Sequence, residues 1–168
     1  MALIIEDGSI VPNANSYISL ADARTFLQSM GYDLDADDTI AEQTLIKGYY
    51  YVSSFESSYQ GERISADQTG SFPRSGVYIN GFPLASDEIP VNIQQAQSLA
   101  AYEEQQSAGA LFPNTTGQTI TSEEVVGAVK VSYSDNGMDS NVTYYPQIES
   151  LLKPLFSASA NTFRVFRV

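Results

Sequence analysis

Thr39-Ile40-Ala41-Glu42-Gln43-Thr44-Leu45-Ile46-Lys47-Gly48-Tyr49-Tyr50-Tyr51-Val52-Ser53-Ser54-Phe55 is the stretch on which the fold reading turns. Thr39 and Glu42 form a capping-box pattern, in which a hydroxyl and a carboxylate three residues apart satisfy the free N–H groups of a helix start. Ile40, Leu45, Val52 and Phe55 then lie along one broad apolar face, which predicts an amphipathic helix. Ala41, Thr44 and Gly48 place small groups beside that face. Glycine inside a helix costs about 1 kcal/mol relative to alanine, so Gly48 predicts a close helix crossing. Tyr49-Tyr50-Tyr51 covers about 200° of the helix, so at least one ring points outward. Such a ring either lies half over the core edge or forms a contact surface for another subunit.

A shorter helix precedes this one. Ser19 caps it with Asp22 three residues on, Leu20, Ala23, Leu27 and Met30 recur at helical spacing, and Gly31 is its stop. The first eighteen residues, broken by Gly8 and Pro12, read as an extended arm. On the other side, residues 57–89 carry no helical period. Asn80-Gly81 between Val77-Tyr78-Ile79 and Phe82 predicts a type I′ hairpin. The aromatics of this segment predict an ordered lobe, with Phe72, Pro73, Tyr78 and Phe82 packed on the helices. Arg63 or Arg74 is expected to pair with a carboxylate there or on an adjacent subunit. Pro90 opens a third helix that buries Ile93, Ala96, Leu99 and Ala100 and ends at Gly109. Residues 119–133 read as two strands turning near Gly127. Pro146 opens a last short helix, with Ile148, Leu151, Leu152 and Leu155 facing inward and Pro154 in its final turn. The expected class is mainly α (α+β): a small bundle of about four helices, one β-hairpin, a long ordered middle loop and extended N- and C-terminal arms.

A chain of 168 residues is expected to form one domain with at most an appendage. It holds no Cys and no His, which removes disulfides, the usual zinc sites, Cys nucleophiles and Ser-His-Asp triads. Eight Lys and Arg against twenty Asp and Glu give a net charge of −12, which repels phosphates and speaks against a nucleic-acid binder. No basic start with an apolar run of about 7–15 residues marks a secretory signal, and no run of about 20 apolar residues marks a spanning helix. A soluble protein is expected.

Asp33-Leu34-Asp35-Ala36-Asp37-Asp38 sets aspartates as an EF-hand begins, but Asp38 stands where Gly is required and Thr44 where Glu is required. The run reads instead as carboxylates facing the positive end of a helix dipole. Glu103-Glu104 and Glu123-Glu124 are adjacent pairs, which do not converge on one point and read as solvated edges. Neither G-x-G-x-x-G nor G-x-x-x-x-G-K-S/T occurs. No catalytic, cofactor-binding or metal-binding residue is expected, and the chain does not read as an enzyme.

Charge is distributed unevenly. Residues 1–90 hold 13 acidic and 4 basic side chains, residues 91–168 hold 7 and 4, and the last twelve hold two arginines and no acid. Phe163-Arg164-Val165-Phe166-Arg167-Val168 reads as a docking tail, because aromatics and Arg are preferred interface anchors. Its rival reading is an extra strand on the 119–133 hairpin. The expected division is therefore a domain over 1–156 and a tail over 157–168.

The opening Met1-Ala2-Leu3-Ile4-Ile5-Glu6-Asp7-Gly8, then Ala14-Asn15-Ser16-Tyr17-Ile18-Ser19, resembles a family of tailed-bacteriophage neck proteins. So do Gly61-Glu62-Arg63-Ile64-Ser65-Ala66-Asp67-Gln68, Phe72-Pro73-Arg74-Ser75-Gly76, and Ile89-Pro90 leading into Gln95-Ala96 and Leu99-Ala100. These are head-to-tail connector, or adaptor, proteins, whose relatives often carry the label "DnaT-like single-stranded DNA-binding protein". The resemblance runs from about residue 1 to 156. It implies a ring of about twelve copies beneath the portal, built from heterologous side-to-side contacts. Its implied partners are the portal protein, tail or nozzle/stopper proteins and other copies of itself. DNA would pass through the channel without specific binding. The implied location is the virion neck, after synthesis in the host bacterial cytoplasm. The tail lies outside the resemblance and is read as the portal-docking element. The alternative is a single-stranded DNA-binding replication protein, with Tyr49, Tyr50 and Tyr51 stacking bases and Lys47 as the nearest cation.

Overall fold

In the computed structural model, helix α2 (Asp38–Ser54) crosses helix α3 (Val91–Gln106) at Gly48. A Cβ there would lie 2.5 Å from the Gln97 carbonyl oxygen and 3.1 Å from the Ala101 nitrogen. The close crossing expected from the sequence is therefore real, and backbone rather than side chain fills the space. Around it pack α1 (Leu20–Ser29) and α4 (Pro146–Leu152), which continues as a 3₁₀ turn over Lys153–Leu155. Ala23, Leu27, Leu45, Val52, Ile93, Ala96, Leu99, Ala100, Ile148, Leu152 and Leu155 form the shared core. The structure describes residues 2–112 and 145–157, together with the backbone of 122–123 and 131–132.

The fold is α+β and mainly helical, as expected. Among the described residues its strands are three two-residue antiparallel pairs: β1 (Glu62–Arg63) with β2 (Arg74–Ser75), β3 (Tyr78–Ile79) with β4 (Phe82–Pro83), and β5 (Ser122–Glu123) with β6 (Val131–Ser132). The β3–β4 turn has φ of 53° at Asn80 and 86° at Gly81, the two positive values a type I′ turn demands. The β5–β6 pair falls within the hairpin expected over 119–133, whose other residues lie outside those described. The β1–β2 pair was not expected. Among the described residues no helix is long and apolar enough to cross a membrane.

Three local expectations need correction. Helix α2 starts earlier than the Thr39 capping box, because Asp37 takes the cap and its carboxylate accepts the Thr39 N–H at 2.8 Å. Ile40 then falls in a first turn that precedes the crossing and is 45% exposed; Met30, just past the end of α1, is likewise exposed. The N-terminal arm folds back on the domain. Ile5 bridges Ser16, and the Tyr17 N–H donates to Gln97 Oε1 at 2.8 Å. The buried Glu6 carboxylate accepts the N–H groups of Gly8, Ile10 and Val11, pinning a loop in which Ile10 has a φ of 63°. A carboxylate with three backbone donors offsets the strain of a β-branched residue in that conformation.

Candidate functional site

The lobe of residues 57–89 is built by polar side chains that capture backbone. Gln60 alone ties three segments: its amide nitrogen donates to Pro154 O (2.9 Å), Phe156 O (3.2 Å) and Tyr78 O (3.2 Å), and its oxygen accepts from the Tyr78 N–H (3.1 Å). Gln68, buried, spans Ile64 and Ser65 N–H on one side and Gly70 and Pro73 carbonyls on the other. Arg74 is buried and donates to the carbonyls of Gln60, Gly61 and Ser71. Both Arg63 and Arg74 reach one carboxylate, Glu56, in a 3₁₀ turn just after α2. Arg63 donates to both of its oxygens and Arg74 lies 3.5 Å away. Hydrogen bonding from Arg63, aided by both guanidinium charges, holds the Glu56 carboxyl below its ordinary range. The expected arginine–carboxylate pairing is thus within the chain, and both arginines share it.

Of the residues expected to pack the lobe, the structure buries Phe72 and Pro73 and leaves Tyr78 and Phe82 outside. Phe72 is 0% exposed and packs edge-on against Tyr59, whose hydroxyl donates to Val52 O at 2.6 Å. Tyr78 is 55% exposed and Phe82 76% exposed. The ribbon pairs Tyr78 with Pro83 and Ile79 with Phe82, which sets the two rings on opposite faces, so the core could take at most one of them. Of the three successive tyrosines, Tyr49 and Tyr51 are buried and Tyr50 is 56% exposed, the one outward ring that the helical period required. Burial and the nearby Glu149 carboxylate push Tyr51 up to about 12. Tyr49 and Tyr17 meet at 4.7 Å beneath Gly70, where a Cβ would stand 2.4 Å from both hydroxyls.

Cations available to phosphate are few. Arg24 pairs with Asp38 and Lys47 with Glu104, each at 2.7 Å, while Arg63 and Arg74 hold Glu56. Four of the five cations among the described residues are therefore spent on carboxylates. Glu104 corrects the reading of Glu103-Glu104 as a solvated edge. It is buried, and burial alone would raise its pKa, but Lys47 and the N–H groups of Gly109 and Leu111 outweigh that and hold the carboxyl below its ordinary value. The spacing 93, 97, 100, 104 on the buried face of α3 was a usable signal for it. Gln97, which donates to Ser16 Oγ and Leu45 O, was equally missed. The acidic run before α2 does what a helix start asks: Asp37 caps, Asp35 accepts from the Asp37 N–H, and Asp38 pairs with Arg24.

One cleft stands out, about 530 Å³, between the N-terminal loop, the start of α1 and the segment leading into α3. Ile5, Tyr17, Ala85 and Ile89 are its apolar lining; Glu6, Asp7, Asp22, Asp87 and Glu88 also line it. Gly8 packs so tightly against one lining residue, Asp87, that a Cβ would lie 1.7 Å from its carbonyl oxygen. None of the four ion pairs involves these carboxylates. The expected docking residues Phe163, Arg164, Val165, Phe166, Arg167 and Val168 lie outside the described residues, as does most of the 119–133 segment.

Over residues 1–168 the chain matches the family described as "Putative DnaT-like ssDNA binding protein" and belongs to it. No curated protein matches, and no solved structure matches. The family's description favours the single-stranded-DNA reading over the connector reading drawn from the sequence.

Proposed function

We propose that this member of the family is a structural connector of a tailed-phage neck, a ring subunit seated beneath the portal that extends the DNA channel and offers a surface to tail components. The observation that carries the proposal is the charge arrangement. A net charge of −12, with four of the five described cations committed to carboxylates, gives a surface along which phosphates slide rather than adhere. The exposed Tyr50, Tyr78 and Phe82 suit protein contact, where aromatics are enriched. Ring closure is proposed on the portal, with the free protein a monomer or weak oligomer. Incubating the pure protein with portal-bearing heads, then sedimenting and imaging them, tests this: density of a closed ring under the portal is expected. Free protein that never co-sediments overturns it.

The second reading, single-stranded DNA binding, is the one that the family match favours. It requires a cationic groove with stacking aromatics. Filter binding of a labelled oligonucleotide at low salt separates the two. Retention that weakens steeply with salt supports the DNA reading, and no retention supports the connector.

A further inference from the structure

We propose that the acidic cleft is the seat of the C-terminal segment Phe163–Val168 of a second copy of this chain, an inference that rests on the ring reading above. Copies that each carry −12 repel one another, so a side-to-side contact needs a cationic element on one partner and an acidic one on the other. The sequence supplies the first in its last twelve residues, with Arg164 and Arg167, no acid, and four large apolar side chains. The fold supplies the second as a concavity of about 530 Å³, within the range of roughly 300–1,000 Å³ in which ligand sites fall. Its carboxylates Asp7, Asp22, Asp87 and Glu88 are left uncompensated by the ion pairs of the described residues, and the apolar part of its lining suits an aromatic anchor.

The chain leaves the described domain at the lobe and not at the cleft. Ser157 is held at the lobe, its N–H donating to Ser58 O at 2.8 Å, and Phe156 O shares the Gln60 amide nitrogen with Tyr78 O. None of these residues lines the cleft. The eleven residues beyond Ser157 reach roughly 36 Å when extended, enough to cross to an adjacent subunit. Phe166 would meet the apolar lining, with the flanking Arg164 and Arg167 within reach of its carboxylates. A head-to-tail contact of this kind closes into a ring when its rotation permits.

A photo-crosslinking amino acid placed at Phe166 in the full chain tests the proposal, using an equal mixture of isotopically heavy and light protein at a concentration where sedimentation shows the free copies associating. The expected product joins residue 166 of one isotope to a peptide spanning 85–94 of the other. The variant carrying Arg164→Glu and Arg167→Glu should lose that product, and mixing it with an Asp87→Lys, Glu88→Lys variant should restore it. Melting curves of each variant confirm that the domain is folded. Products joining 166 only to its own chain overturn the proposal, as do products on another surface or a cross-link indifferent to charge reversal. Because the readout uses protein alone, it is independent of portal binding: heads that fail to capture the protein count against the connector reading, and a missing 166-to-cleft product counts against the cleft.

Discussion

The α2–α3 crossing and the lobe of residues 57–89 are both ordered, yet opposite means hold them. At the crossing, small groups let two backbones approach: Gly48 meets Gln97 and Ala101, while Leu45, Val52, Ala96 and Ala100 exclude water on either side. In the lobe, Phe72 packs against Tyr59 with Val77 and Ile89 also buried, and the path of the chain is fixed by Gln60, Gln68 and Arg74 binding carbonyls and N–H groups, Gln68 within its own loop and Gln60 across to Pro154. Irregular backbone can be buried only if its polar groups find partners. The lobe finds them in side chains, whereas the helices find them in themselves.

The largest test asks whether the lobe belongs to the same folding unit as the crossing. Phe72 is fully buried and touches Tyr59, which in turn bonds the last turn of α2. Truncation of a buried Phe typically costs about 3–5 kcal/mol, so Phe72→Ala should lower the melting temperature of the whole domain in one transition. A separate early transition, with the helices melting as before, would show two units instead of one.

At the crossing, Gln97 offers a sharper cut. Gln97→Leu keeps the bulk but leaves the buried Tyr17 N–H without its acceptor and Ser16 Oγ with one donor of two. Stranding a buried polar group costs about 1–3 kcal/mol. Denaturant unfolding should report a loss of that order, and hydrogen exchange should show Tyr17 losing protection first. Unchanged exchange at Tyr17 would mean that the N-terminal loop is held elsewhere.

The contrast also explains what could be read without coordinates. All four helices followed from periodicity and punctuation, since apolar spacing and the positions of Ser19, Pro90 and Pro146 are local signals. The type I′ turn at Asn80-Gly81 was local too. What escaped was set largely by contacts between distant positions: Gln60 with Pro154, Glu104 receiving Lys47, and the pairing of β1 with β2. A polar side chain buried by a long-range partner carries no local signature. The same limit explains the misplacement of Tyr78 and Phe82, which aromatic content alone suggested would be buried. The cleft joins Ile5, Asp22 and Asp87 from three stretches and was equally invisible.

A smaller effect separates the two regions by pH. The Glu56 carboxyl is held below its ordinary 4.5 by Arg63 first and Arg74 with it. A depressed carboxylate contributes stability that is complete above the unfolded value and lost as pH falls through the folded one. The lobe should therefore loosen below about pH 4.5. Because Glu56 and Arg63 are each about a third exposed, the contribution is about 1 kcal/mol or less. Glu56→Gln should flatten the acid limb of the stability profile, measured against the same scan on the unaltered protein. A profile with an undiminished acid limb would assign it to Glu104, which lies at the helix side and is depressed as well.

The smallest expected effect is the most telling about surface. Phe82 is the most exposed of the large apolar side chains described, on a ribbon whose turn geometry is set by Asn80 and Gly81 rather than by its aromatics. Gln60 holds β3 from the opposite side through both polar groups of Tyr78, so the ribbon is anchored without Phe82. Substitutions at exposed positions usually stay within about 0.5 kcal/mol, so Phe82→Ser should leave the melting temperature of the free protein where it was. Phe72→Ala and Phe82→Ser, ten residues apart in one lobe, then give the full range from core to surface. A large destabilisation by Phe82→Ser in the free protein would mean that something within the chain covers this ring. Loss of capture by portal-bearing heads, with melting unchanged, would place Phe82 on the surface that a partner buries.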